Sequence, residues 1–180
     1  VTTALDSLAT TRGELAWIAE RARECRYVIE IGVWLGRSLK AWADNLPTGG
    51  LAVGVDAWSA EHYGSPSMQA NLLRVGPDEA YARCRAALAE HLESGRVRLL
   101  RSPAVEAAAL VDPGADLVYL DAATEYAETA AQLAAYEPLV RPGGTICGHH
   151  YQRRAGTRTA VDARYGDRVK SRGQLWWVAL

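Results

Sequence analysis

Three groups of residues in this chain have types and spacing suited to chemistry. The first is the run Glu30-Ile31-Gly32-Val33-Trp34-Leu35-Gly36-Arg37-Ser38, in which Gly32 and Gly36 bridge an apolar stretch and a helix-like stretch. Gly32 allows a tight turn and a close backbone approach, and the amide-rich helix start beyond Gly36 favours an anion. The spacing is neither the GxGxxG dinucleotide pattern nor a GKS/GKT phosphate loop, because Lys40 stands in the wrong place. The second is Asp56, about 20 residues past the glycines, where an acid can accept hydrogen bonds from ribose hydroxyls. Taken singly, the glycines also suit a plain turn and Asp56 a cap; together they favour a nucleoside ligand. The third is Asp121 with His149 and His150, a carboxylate and two imidazoles that titrate near neutrality and suit proton transfer.

These residues need a frame that brings them together. Apolar spacing predicts helices over residues 13–24, 38–46, 77–92, 102–110, 125–139 and 157–165. On the first, Leu15, Ile18, Ala19 and Ala22 share a face. Short continuous apolar runs predict strands over 27–31, 51–55, 97–100, 117–120, 145–148 and 175–180, with 169–171 a weaker candidate. Pro142-Gly143-Gly144 reads as a turn, and 57–76 as a long irregular loop, usually functional or mobile. Strands alternating with helices, apolar on both faces, predict an α/β fold with a mostly parallel sheet covered on both sides. Ligands in such sheets bind beyond the carboxyl ends of the strands. Glu30, Gly32, Asp56, Asp121, His149 and His150 all fall at or just past such ends.

With 180 residues, the chain is expected to form a single domain over 1–180. Lys plus Arg (20) nearly cancels Asp plus Glu (21), so no general attraction to nucleic acid or anionic membrane is expected. No apolar run is long enough for a membrane span. Residues 1–11 carry an acid at Asp6 and no basic start, so no secretory signal is read there. Cys25, Cys84 and Cys147 are sparse and widely spaced, which suits a reducing compartment, and the cytoplasm is the expected location.

Four stretches in order carry a resemblance. They are Val28-Ile29-Glu30-Ile31-Gly32-Val33-Trp34-Leu35-Gly36-Arg37-Ser38, Gly54-Val55-Asp56-Ala57-Trp58, Val118-Tyr119-Leu120-Asp121-Ala122 and Leu139-Val140-Arg141-Pro142-Gly143-Gly144-Thr145-Ile146. Together they resemble a class I S-adenosylmethionine-dependent methyltransferase, closest to the small O-methyltransferases of natural-product and glycan tailoring. The resemblance implies a Rossmann-like, seven-stranded sheet whose last strand, 175–180 here, is antiparallel. It implies that Glu30 and the Gly32–Gly36 loop, with Ser38 at its end, hold the methionine part of S-adenosylmethionine. Asp56 then takes the ribose hydroxyls, Trp58 shapes the pocket nearby, and Ser102 lies near the adenine.

Metal-dependent members of that superfamily hold a divalent ion between the ends of the fourth and fifth strands. Asp121 matches their first ligand. Where the related pattern often reads Gly-Asp-Asp-Tyr or Gly-His-Asp-Tyr, this chain has Gly148-His149-His150-Tyr151. Carboxylates suit Mg²⁺, whereas two imidazoles with one carboxylate better suit Fe, Mn, Zn or Ni. Adjacent side chains in extended chain point opposite ways, so His149 and His150 reach one ion only across a bend. His62 is a candidate to complete the set. The related pattern also often has Asp-Ala-x-His-x-Tyr after the fourth strand; here the histidine position holds Thr124, which reads as a helix cap before Glu125. Either the metal differs from that of the relatives, or it is lost and the base is His149 or His150, with Asp121 orienting it or the cofactor amine. Tyr151 is placed to flank an acceptor, and Arg153, Arg154 and Arg158 border the site.

The expected reaction is methyl transfer to a hydroxyl of a small molecule or sugar. Two alternatives stay open: a metal-dependent enzyme of the same fold with oxidative or cyclising chemistry, and a non-catalytic cofactor-binding or assembly domain. No substantial lid is expected before the first helix. The acceptor wall is left to 57–76, 151–157 or a partner subunit, which is compatible with a homodimer.

Overall fold

Short runs rich in Val, Ile and Leu form the strands, and amphipathic segments between them form the helices. The computed structural model describes residues 10–180; the signal reading of 1–11 therefore rests mostly on residues outside those described. The order is α1 Arg12–Ala22, β1 Tyr27–Ile31, α2 Arg37–Asn45, β2 Leu51–Asp56, α3 Pro66–Val75, α4 Pro77–Ala87, α5 Ala89–Glu93, β3 Val97–Arg101, α6 Ala104–Ala107, β4 Ala115–Leu120, α7 Tyr126–Tyr136, β5 Val140–Gly148, α8 Ala155–Tyr165, β6 Lys170–Arg172 and β7 Leu175–Ala179. Among the described residues, seven strands form one sheet in the order β3-β2-β1-β4-β5-β7-β6. Strands β1 to β5 are parallel, and β7 runs antiparallel to both β5 and β6. The expected antiparallel last strand and the weaker strand before it are both present.

Side chains alternate across the sheet, so each strand feeds two cores. Val28, Leu117 and Tyr119 pack with Trp17 and Ile18 of α1, Leu39 and Trp42 of α2 and Cys84 of α4. Ile29, Ile31, Val118 and Leu120 pack with Leu133 and Tyr136 of α7 and Val161 and Tyr165 of α8. On β7, Trp176 is fully buried, whereas Trp177 is half-buried, its ring 5.8 Å from that of Trp17. The order reverses between β1 and β4, and the carboxyl ends there open a crevice.

Several expectations change. The helix read over 77–92 divides at Leu88 into α4 and α5, and that read over 102–110 is the short α6 followed by a 3₁₀ turn. The stretch 57–76 is not irregular throughout: it contains α3, which starts on Pro66 and buries Leu72. Gly64 and Gly76 flank this helix, and Pro66 fills its first turn, where a missing N–H costs nothing. Pro142-Gly143-Gly144 is not a separate turn but lies within β5, as an irregularity where the pairing with β4 shifts register between Ala115 and Leu117. The buried stripe of α1 is Glu14, Trp17, Ile18 and Ala22; Leu15 and Ala19 are only half-buried.

Candidate active site

The glycine turn is built by backbone needs. Gly32 has φ +93° and donates its N–H to Val55 O at 2.8 Å, and Gly36 has φ +87° as N-cap of α2. A Cβ on Gly32 would stand 2.7 Å from the backbone of Asp121, and one on Gly36 3.2 Å from Cys84 Sγ. Gly36 offers no side chain to cap α2, and a helix start of this kind favours an anion.

Asp56, at the end of β2, is buried and fully engaged. Its Oδ2 accepts the N–H groups of Val33 and Trp34, both at 2.9 Å. Its Oδ1 accepts the N–H of Trp58 and the Tyr63 hydroxyl, both at 2.8 Å. These bonds hold Trp34 and Trp58 at φ +52° and +43°, left-handed values that bulky residues rarely adopt. Burial raises the Asp56 pKa, against the pull of its donors.

The third group converges where β4 and β5 end. Asp121 N–H bonds to Ile31 O at 2.7 Å and His149 N–H to Leu120 O at 3.0 Å. Gly148 lets β5 approach closely: a Cβ there would collide with Leu120 O. His150 then turns left-handed, with φ +68°, which supplies the bend that two neighbouring imidazoles need. His149 Nδ1 and His150 Nε2 each lie 3.2 Å from Asp121 Oδ1. One ligand atom from each of the three residues falls within 4.8 Å of the others. His149 Nδ1 is buried and makes no hydrogen bond. Burial disfavours charge on His149, but Asp121 and Glu14 outweigh it and hold its pKa at about 9. Burial lowers that of His150, helped by His149 and Arg154 and opposed by Asp121.

All three groups open into one cavity of about 830 Å³. Gly32, Gly36, Ser38, Asp56, Asp121, His149 and His150 line it. Glu30 does not: it lies fully buried behind the loop, and the Ser38 hydroxyl donates to its Oε1 at 2.6 Å. Burial pushes the Glu30 pKa well above the ordinary carboxylate value. Trp58 is also absent from the lining; its indole N–H donates to Trp34 O at 2.9 Å and its ring packs on Tyr81. Ser102 stays outside the lining, with its N–H on Asp56 O at 3.0 Å.

His62 lines the cavity but does not join the Asp121 cluster; its Nε2 is 3.5 Å from Glu61. Thr124 is not the helix cap that the sequence suggests. The N-cap of α7 is Glu125, and Thr124 Oγ1 is buried without a partner. Tyr151 turns away from the cavity to bond Asp162 at 2.6 Å. Arg153 and Arg154 stand in the cavity wall, while Arg158 pairs with Asp162.

Glu14 and Gln132 join the site without a functional reading from the sequence, and Tyr63 joins it from the 57–76 stretch that the sequence marks as a candidate wall. Glu14 accepts from His149 Nε2 at 2.8 Å, Tyr63 holds Asp56, and Gln132 lines the cavity with an unpartnered, buried Oε1. The only signal for Glu14 was its place three residues after Thr11, a capping box.

S-adenosylmethionine fits these residues: positive-φ glycines beside uncapped amides, an acid at the end of β2, and an orphaned Gln132 acceptor near Ala104 and Ala122. A divalent ion fits the donor set of Asp121, His149 and His150.

Fold and site together define a class I S-adenosylmethionine-dependent methyltransferase. The methyltransferase domain family matches residues 29–151, and the chain belongs to it. An O-methyltransferase, ankF, from Aspergillus thermomutatus is 31% identical over 108 residues, 59% of this chain and 38% of that protein. The chain thus spans well under half the length of this relative. The crystal structure of the O-methyltransferase from Bacillus cereus in complex with SAH superposes with a TM-score of 0.68 at 17% identity, covering 97% of this chain and 84% of that one. The O-methyltransferase TomG from Streptomyces achromogenes, involved in tomaymycin synthesis and solved with SAM, gives 0.66 at 18%, covering 96% and 82%. Among the described residues no helix is long and apolar enough to cross a membrane.

Proposed function

We propose that this chain transfers a methyl group from S-adenosylmethionine to a hydroxyl of a small molecule, of the natural-product or sugar class. The observation that carries this reading is the opening of the glycine turn, Asp56 and the Asp121–His149–His150 cluster into one cavity. That ankF and TomG are O-methyltransferases supports it. S-adenosylmethionine, when bound, supplies an electrophilic methyl on sulfur; a divalent ion, when bound, lowers the pKa of a coordinated hydroxyl.

The chain's own residues do the positioning. The amides after Gly36 bind the amino-acid carboxylate, Asp56 and its donors shape the ribose site, and Gln132 accepts a hydrogen bond from the ligand. Asp121, His149 and His150 would hold the ion. Reaction requires acceptor oxygen, methyl carbon and sulfur in line, and the acceptor proton must leave. Arg153 and Arg154 favour an acceptor that carries a carboxylate or phosphate. A second reading rests on the place of His150 in the cavity wall, its Nε2 3.2 Å from Asp121 Oδ1: without an ion, His150 takes the proton itself and Asp121 orients it. Three free, buried cysteines suit work in a reducing compartment such as the cytoplasm.

The test is calorimetric titration of metal-stripped protein with S-adenosylmethionine, with and without Mg²⁺, Mn²⁺ or Fe²⁺, followed by methyl transfer to hydroxylated acceptors. Micromolar binding and turnover that chelation abolishes and a metal restores establish the metal-assisted reaction. Turnover indifferent to chelation establishes His150 as base. Absence of cofactor binding in every metal state overturns the proposal.

A further inference from the structure

Glu14 is an acidic residue on the buried face of a helix whose other inward residues are Trp17, Ile18 and Ala22. A carboxylate there requires partners. Its Oε2 accepts the Thr11 N–H at 2.6 Å, and its own N–H donates to Thr11 Oγ1 at 3.3 Å, closing a capping box. Its Oε1 is left for His149 Nε2, 2.8 Å away and 135 residues along the chain. The capping box prevents the carboxylate from swinging to solvent.

We propose that Glu14 is a positioning residue for the metal: it holds the proton on His149 Nε2 and so presents Nδ1 to an ion shared with Asp121 and His150. This rests on the metal-assisted reading above. A carboxylate can only accept, so the nitrogen that faces it must carry a hydrogen. An ion that displaces any proton from Nδ1 then meets the lone pair on that atom. That atom is buried, has no hydrogen-bond partner and stands 3.2 Å from Asp121 Oδ1. Two electron-rich atoms at that separation repel unless a proton or a cation lies between them. His150 Nε2, at the same distance from the same oxygen, supplies the third donor. Metal-bound histidines commonly donate their other N–H to a carboxylate, and loss of that partner typically costs 10–100-fold in affinity.

Glu14→Gln is the sharp variant. An amide has one oxygen, which the Thr11 N–H requires, so its NH₂ faces His149 Nε2 and favours the tautomer protonated on Nδ1. Thr11→Val is the control: it weakens the α1 cap but leaves the Glu14–His149 bond. Metal-stripped wild type and both variants are titrated with Co²⁺ alone, followed by its visible absorption. Zn²⁺-loaded samples are examined by long-range ¹H–¹⁵N NMR of the histidine rings. Wild type is expected to bind one Co²⁺, with His149 ligated through Nδ1 and protonated on Nε2. Glu14→Gln is expected to bind about 10–100-fold more weakly. Thr11→Val should melt earlier yet bind Co²⁺ as wild type does. Equal Co²⁺ affinity of Glu14→Gln and wild type overturns the role of Glu14 and leaves the metal reading standing. Equal weakening in both variants assigns Glu14 to helix stability alone and overturns the role. Absence of Co²⁺ binding by the wild type overturns the metal reading, and this inference with it.

Discussion

Gly32 and Asp121 meet backbone to backbone: a methyl group on Gly32 would stand 2.7 Å from the carbonyl carbon and oxygen of Asp121. The glycine turn proposed for the cofactor and the Asp121–His149–His150 cluster therefore share one contact. Gly32→Ala combines that collision with a φ of +93°. It is expected to cost roughly 2–4 kcal/mol of stability and to weaken binding of both S-adenosylmethionine and Co²⁺. Urea denaturation and two calorimetric titrations check this. Loss of cofactor binding with unchanged Co²⁺ affinity would show the two sites to be independent.

Asp56 is surrounded by four donors, one of them the Tyr63 hydroxyl. Burial and the adjoining carboxylate push the Tyr63 pKa far up, so it donates at any working pH. A ribose hydroxyl that uses Oδ1 must displace or share with Tyr63. Tyr63→Phe is therefore expected to bind S-adenosylmethionine at least as tightly as wild type. Asp56→Ala releases the loop as well and should weaken binding more than tenfold, with a stability loss of about 3 kcal/mol. Calorimetry on both variants decides it: weaker binding by Tyr63→Phe would make the phenol itself a ligand contact.

The three cysteines are buried and free. Burial, chiefly, pushes Cys25 up to about 11 and Cys84 and Cys147 higher still. Only thiolates react readily. Native protein should therefore resist Ellman's reagent at pH 8 and release all three thiols on denaturation. A rapid stoichiometric reaction of the native protein would contradict the packing around Gly36 and β5.

Asp116 pins the start of β4 to that of β1. It accepts the N–H groups of Arg26 and Tyr27 at 2.6 and 2.9 Å, and the Arg141 guanidinium pairs with its other oxygen. Partial burial works against the charge, but these donors prevail and hold its pKa below the usual carboxylate value. The stabilisation is thus complete above about pH 4 and is lost as pH falls through the depressed folded value. Asp116→Asn should cost about 2 kcal/mol at pH 7, with the gap from wild type closing in acid. Chemical denaturation between pH 7 and pH 2 measures it; a gap independent of pH would refute the charged role.

Much of the site was legible because strand ends are legible. A continuous apolar run followed by Gly, Asp or His gives both the strand and the residue beyond it, so the sequence itself groups Gly32, Asp56, Asp121, His149 and His150. What escaped depends on direction. Glu30 sits in the apolar run itself and points behind the loop. Trp58 follows Asp56 closely, but a left-handed backbone turns it into the core. Glu14 escapes because apolar spacing alone places the inner face one residue away, on Leu15. Helix α3 was hidden by Gly64, Pro66 and Gly76, which mark its ends but read as breakers.

The Glu14–His149 bond closes a loop of 135 residues, and the Asp121 and His149 amides are tied to strands that reach each other only through helical crossovers. Such closures carry a large entropy cost and are not rewarded until the intervening strands have paired. The Asp121–His149–His150 cluster should therefore be among the last parts of the chain to assemble. In stopped-flow refolding, helical circular dichroism is expected to recover before the capacity to bind Co²⁺, and simultaneous recovery would contradict this order. During that interval His149 and Asp121 lack their native neighbours, so cleavage of the newly refolding chain by a protease should fall first within the stretch that joins β5 to α8.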